Sequence, residues 1–231
     1  MARTQRSVAK SVLIIGLGRF GSAVATTLMQ MGKEVLAVDE NADLVQRWSS
    51  ELTHVVQADT TDEEALRQLG AAGYDRAVVA IGNDIEASVL TVLALVEAGV
   101  TEIWAKAITA KHAKILTSIG AHHVVLPEAT MGQRMAHMLV GSMDDYFEFE
   151  AGYAMARLKA PAVMWGVPLG TSQVRTRYQI TVVGVKRPGG VFTYAENTTV
   201  IQERDEVIVS GAVRHVERFA GLPQTRQGGL T

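Results

Sequence analysis

Residues 16–21 read Gly-Leu-Gly-Arg-Phe-Gly and follow the apolar run Ser11-Val12-Leu13-Ile14-Ile15. Glycines at 16, 18 and 21, between a strand and a helix, have the G-x-G-x-x-G spacing of a phosphate-binding turn. Gly16 permits the tight turn, Gly18 lets the backbone approach a phosphate, and Gly21 lets helix and strand pack closely. A phosphate there meets unpaired N–H groups and the positive end of the helix dipole. Asp39 lies about 20 residues further on, at the end of the second apolar run, where a carboxylate accepts from ribose hydroxyls and disfavours a 2′-phosphate. Arg19 is the residue such a turn does not need. Backbone amides largely hold a pyrophosphate, whereas a guanidinium adds a permanent cation with a two-pronged donor suited to a terminal phosphate. Lys106 offers a second cation across the same crevice. Either could instead be a surface group paired with a nearby acid, so the pattern leans towards ATP or ADP and leaves NAD(H) open.

Regular alternation positions these groups. β-rich runs at Val12–Ile15, Val35–Val38, His54–Gln57, Ala77–Ile81, Ile103–Lys106 and His123–Leu126 are separated by helical periodicity at Ser22–Met31, Leu44–Leu52, Asp62–Leu69, Glu86–Ala98 and Ala110–Ile119. That order predicts an α/β fold, a Rossmann-like parallel sheet covered on both faces. Asn41 and Thr61 read as helix N-caps. Gly32, Gly70, Gly99 and Gly120 stand where helices should stop. The strands end in polar residues or glycine: Gly16, Asp39, Asp59-Thr60, Gly82-Asn83, Lys106 and, after the sixth, Glu128. In an open parallel sheet those ends converge on one crevice where ligands bind. Phe20, Glu40, Asn41 and Ile81 flank them and complete the candidate set. Asp59 and Asn83, taken singly, also read as helix caps.

The stretch Thr130–Phe149 repeats apolar residues at helical spacing, with Met131, Met135, Met138 and Leu139 on one face. It packs either on its own sheet or, since the six strands already have their crossovers, against another subunit. Beyond about residue 150 strands return: "GYAMARLKAP", a hairpin "YQITVVGVKRPGGVFTY" turning at Pro188-Gly189-Gly190, and "DEVIVSG" with a short helix Val213–Ala220 behind it. This is a small α+β module, and residues 223–231 read as a disordered tail.

The 231 residues carry a formal net charge of −2, with 48% hydrophobic and 20% charged residues. That balance supplies a core and no electrostatic footprint for nucleic acid or an anionic membrane. Arg3, Arg6 and Lys10 read as a short solvated lead-in. With no cysteine, thiolate nucleophiles, cysteine metal sites and disulfides are excluded together. The apolar runs are too short to span a bilayer. No acid–base cluster, no metal-ligand histidine spacing and no Walker A lysine is present, so catalysis has no visible home.

The motifs together resemble the RCK (regulator of conductance of potassium) family, specifically the cytosolic subunits of Ktr/Trk-type potassium uptake systems. The resemblance runs over residues 9–222 through "GLGRFG", "AVDEN", "QADTTDEEAL", "VVAIGNDIEASVL", "IWAKA" and "IGAHHVVLPEATMG", then "GVPLGTSQVRTRYQITVVGVKRP" and "ERDEVIVSG". It implies a nucleotide-binding N-lobe (9–128), a crossover helix for dimerisation (129–150) and a C-terminal subdomain (151–222). It further implies homodimers assembled into an octameric ring on the cytoplasmic face of a membrane-embedded potassium-translocating subunit, gated by ATP against ADP. By position, Gly16, Gly18 and Gly21 would line the phosphates, Arg19 would reach the terminal one, and Asp39 would hold ribose. Asp59, Asn83 and Lys106 would complete the pocket, and Glu128 would help hold a divalent cation, Mg or Ca, between paired N-lobes. In some relatives the C-lobe dimer binds cyclic di-AMP, and no residue of this sequence is singled out for it.

Overall fold

A computed structural model describes residues 11–149 and 152–225, which fall into two compact units dividing between Glu128 and Ala129. The lead-in Arg3, Arg6 and Lys10 and the end of the tail, 226–231, lie outside the described residues.

The first unit runs β1 (Ser11–Ile15), α1 (Arg19–Gln30), β2 (Glu34–Asp39), α2 (Ala42–Trp48), β3 (His54–Gln57), α3 (Glu63–Gln68), β4 (Arg76–Val79), α4 (Ile85–Glu97), β5 (Glu102–Lys106), α5 (Ala110–Ser118) and β6 (His123–Val125). All pairings are parallel and the order is β3-β2-β1-β4-β5-β6, the doubly wound sheet that the alternation predicts. Period-2 side chains explain its two cores. Leu13 and Ile15 of β1 face one side with Leu66, Val92, Leu95, Ile103 and Leu116, while Val12 and Ile14 face the other with Leu17, Ala25, Val35 and Leu52. The second core is much the smaller. Where it stops, the sheet is open in a cavity of about 480 Å³ floored by Val24, Leu28, Val78 and Val125, with Arg76 and Glu102 at its wall. Asn41 caps α2 as expected, accepting from the amides of Asp43 and Leu44. Thr61 does not cap α3; Asp62 does, its carboxylate accepting from the Glu64 amide, while the amide and hydroxyl of Thr61 donate to Asp59 instead.

The second unit contains most of α6 (Pro127–Gly141), then β7 (Asp145–Phe149), β8 (Tyr153–Lys159), the short helices α7 (Leu169–Ser172) and α8 (Val174–Tyr178), β9 (Ile180–Lys186), β10 (Phe192–Tyr194), β11 (Glu206–Ala212) and α9 (Val213–Ala220). Its antiparallel sheet has the order β10-β9-β11-β8-β7. The expected hairpin pairs Lys186 with Phe192 across the Pro-Gly-Gly turn. The expectation of one helix over 129–150 is corrected. Helix α6 stops at Gly141, the chain turns with Ser142 at φ +50°, and Asp145–Phe149 is an edge strand on β8. Alternation explains it: Tyr146 is buried in the core opposite Ala156, and Phe147 and Phe149 point to the other face. Of the methionine face, Met138 packs on this unit's core, while Met131, Met135 and Leu139 stay exposed.

Candidate functional site

Parallel pairing puts every strand's C-terminal end on one edge of the first unit, and the strand order reverses direction between β1 and β4, where such sheets bind ligands. The glycine turn sits at that point. The Gly16 amide donates to Val38 O at 2.8 Å, and the Ala80 amide donates to Ile15 O at 2.7 Å, tying the ends of β1, β2 and β4 together. Gly16 has φ +93°, which explains the residue type. A Cβ on Gly21 would stand 1.8 Å from the Gly16 carbonyl oxygen, so only glycine allows α1 to begin this close to the strand. A Cβ on Gly18 would meet nothing within 4 Å. The turn is open where a Gly18 side chain would stand, and Gly18 caps α1 with no side-chain hydrogen bond. A helix start of that kind offers free donors to an anion.

Asp39 holds the turn from the side. Its Oδ2 accepts from the Leu17 amide at 2.6 Å and its Oδ1 from the Asn41 amide at 2.8 Å, leaving each oxygen a second lone pair. Gln57 donates to the Glu40 carbonyl at 3.0 Å, so Asp39, Glu40 and Asn41 form one pinned segment beside the crevice.

The cations differ in setting. Arg19, the first residue of α1, is exposed, and its guanidinium makes no hydrogen bond or ion pair among the described residues. Lys106 is sunk to 13% side-chain exposure at the end of β5. Its ammonium lies 5.9 Å from the centre of the Phe20 ring and 3.1 Å from where a Gly82 Cβ would be. It donates to Glu128 Oε1 at 2.8 Å. That bond holds the Glu128 carboxyl below its usual range, helped by its own backbone amide and by the charges of Lys106 and Arg19. The alternative weighed for Lys106, a pairing with a nearby acid, is therefore realised, and the acid is the residue singled out for a cation.

The remaining candidates separate. Ile81 is half-buried on the larger core, and Asn83 stands exposed with no hydrogen-bond partner among the described residues. Asp84, not Asn83, caps α4 by accepting from the Ala87 amide. Asp59 is exposed and engaged with Thr61, whose hydroxyl and amide keep its carboxyl below the usual range. Thr60 is not brought to the crevice. It is buried, with its hydroxyl 3.0 Å from that of Thr91 on α4. Reading from sequence missed the Leu17–Asp39 bond. Its only signal was register: Ile15 pairs with Val38, which sets Asp39 beside the turn. As to a metal, the described residues contain no group of three or more His, Cys, Asp or Glu able to hold one, so Glu128 supplies a single carboxylate donor.

The TrkA-N domain family matches residues 12–127, and the TrkA-C domain family matches residues 153–222. Ktr system potassium uptake protein C of Bacillus subtilis (strain 168) is 38% identical over 211 residues, covering 91% of this chain and 96% of that protein. Ktr system potassium uptake protein A of Vibrio alginolyticus is 34% identical, covering 87% of this chain and 92% of that one. Among solved structures, the GsuK channel superposes with a TM-score of 0.68 at 18% identity, covering 94% of this chain and 40% of that chain. The GsuK RCK domain gives 0.65 at 18% identity, with 94% of this chain and 49% of that chain covered. At that identity the likeness is one of fold.

Proposed function

The chain belongs to the TrkA-domain family of the Ktr system potassium uptake proteins, and from that premise we propose that it is a nucleotide-sensing regulatory subunit of a potassium transporter. Its ligands are ATP and ADP, bound at the crevice of the first unit, and the transporter responds to which of them is there. The observation that carries this reading is Arg19: an exposed, unpaired guanidinium at the mouth of a phosphate turn that does not require one. Gly16, Gly18 and Gly21 receive the α- and β-phosphates, Arg19 the terminal phosphate of ATP, and Asp39 the ribose through its second lone pairs. Ile81, Gly82 and Asn83 border the nucleotide. A regulatory ligand acts only through a difference in affinity between two states. The γ-phosphate, the one group ADP lacks, is what Arg19 would read.

Glu128 offers a divalent cation one carboxylate, so Mg or Ca bound here would take its other ligands from phosphate oxygens, water and a partner copy. When bound, the cation supplies charge that lets Glu128 and phosphate stand together.

The partners follow from the same family. We read the exposed Met131, Met135 and Leu139 of α6 as the homodimer surface, and a membrane-embedded potassium-translocating subunit as the assembly's target, with dimers closing into an octameric ring at the cytoplasmic face. No helix among the described residues is long and apolar enough to cross a membrane. Light scattering of the purified chain tests the assembly.

Calorimetry with ATP, ADP, NAD⁺ and NADH, with and without Mg²⁺, tests the ligand. The expected result is binding of ATP and ADP, with a metal response larger for ATP. Tight NADH binding with weak ATP binding overturns the reading in favour of a redox sensor.

A further inference from the structure

We propose that Glu128 is a built-in competitor for the nucleotide phosphates: in the empty site its carboxylate occupies Lys106, and a phosphate must displace it to reach that ammonium. The inference rests on the crevice being the nucleotide site and adds how that site is held when empty.

Three observations carry it. First, the two partners are buried unequally: Lys106 has 13% side-chain exposure and Glu128 66%. The carboxylate sits on the solvent side of the ammonium, where a ligand arrives. Second, the other neighbours of the ammonium are poor substitutes. Gly82 presents backbone, and Phe20 offers a ring face at 5.9 Å. Taking a largely buried ammonium away from its anionic partner costs free energy, and a second anion arriving in its place offsets that cost. Third, Glu128 is not harmed by release. It lies in the first turn of α6, where an acid is favoured by the helix dipole, and it is already largely in water. The exchange is therefore asymmetric: Lys106 needs an anion, and Glu128 does not need Lys106.

The arrangement makes Glu128 an anion that excludes weaker anions. It also predicts that the effect of Glu128 reverses with conditions. Without a divalent cation its charge opposes phosphate at Lys106. With one, the released carboxylate would be free to serve as a ligand for the cation, and would then support binding.

The test is ADP binding by calorimetry in EDTA to wild type, Glu128→Gln, Glu128→Ala, Lys106→Met and the Lys106→Met/Glu128→Gln pair, each checked for folding by circular dichroism. Removing the competitor should tighten ADP about three- to fivefold in both Glu128 variants, the range that a partly exposed ion pair supplies. In the Lys106→Met background the same Glu128→Gln change should leave affinity unchanged. Unchanged or weaker ADP binding in both Glu128 variants overturns the inference. An equal gain in both backgrounds also overturns it, because the carboxylate would then act through its general field and not at Lys106. Failure of the nucleotide reading looks different: wild type would bind no ADP in any buffer, and the competitor would fall with it.

Discussion

Gly21→Ala and Gly18→Ala alter neighbouring glycines of one turn and should have opposite consequences. At Gly21 the added methyl would stand 1.8 Å from the Gly16 carbonyl oxygen and 2.9 Å from Ala80 Cβ. Ordinary contact begins at about 3.4 Å, so helix and strand must separate by about 1.6 Å. The obstructing atom is backbone, and Gly16 is itself bonded to Val38, so no rotamer change relieves the clash. Overpacking usually costs about 1–3 kcal/mol, and a backbone obstruction belongs at the upper end. Alanine's better helix propensity returns about 1 kcal/mol, leaving a net loss of about 2 kcal/mol. At about 2–4 °C per kcal/mol this is a fall in Tm of about 4–8 °C. Gly18 has ordinary φ and ψ of −65° and −175° and open space where a Cβ would stand. Alanine there should cost no more than a weakened cap, under about 1 kcal/mol. It should nevertheless obstruct the phosphate and lower ATP affinity about tenfold or more, the value of a lost charge-assisted hydrogen bond. Thermal unfolding by circular dichroism and calorimetric titration of ATP decide the matter. A Gly21→Ala protein that melts with wild type, or a Gly18→Ala protein that keeps full ATP affinity, refutes the account of the turn.

Arg19→Ala should weaken ATP much more than ADP in calorimetry, and an equal loss for both removes Arg19 from the terminal phosphate. Asp39→Ala leaves the amides of Leu17 and Asn41 without their acceptor. It should destabilise the fold by about 2 kcal/mol in urea denaturation even without ligand, which a residue serving only ribose would not do. His112 is buried, accepts from the Ile108 amide at Nδ1, and burial alone lowers its pKa. The unfolded chain therefore takes up the proton first: stability is full above the ordinary histidine range and falls as pH drops below about 6.5. Urea midpoints measured between pH 7.5 and 5.5 should show that loss in wild type and less of it in His112→Asn, which keeps an acceptor for Ile108.

Six strands and the phosphate turn were legible because each is written locally, in a β-rich run, a glycine or a flanking acid. The misread stretch at 142–149 shows the limit. Methionines spaced for a helix led into Tyr-Phe-Glu-Phe, whose alternation is a strand signal only once β8 is there to pair with it. Helices α7 and α8, with 4 and 5 residues, are too short to show a period. Within the site, the residues at the strand ends could be named in advance but not their relations. Thr60 turns inward because Thr91 awaits it on a helix 31 residues away. Lys106 meets Glu128 because β5 and β6 pair Lys106 with Val125, which sets the start of α6 beside the ammonium. A single polar residue carries no mark of which way its strand faces or which neighbour the register will bring.

The clamp that Asp39 places on the turn reaches beyond stability. One carboxylate fixes both the floor for the phosphates and the segment that follows β2, so the two are machined as a single part before any nucleotide arrives. A part already in its final shape has little left to report. If the crevice holds a nucleotide as proposed, news of occupancy would travel through the pieces with latitude: a free guanidinium and the Lys106–Glu128 ion pair. On the proposed reading, holding the nucleotide and reporting it would thus fall largely to different residues, and mutations should be able to deafen such a sensor without emptying it.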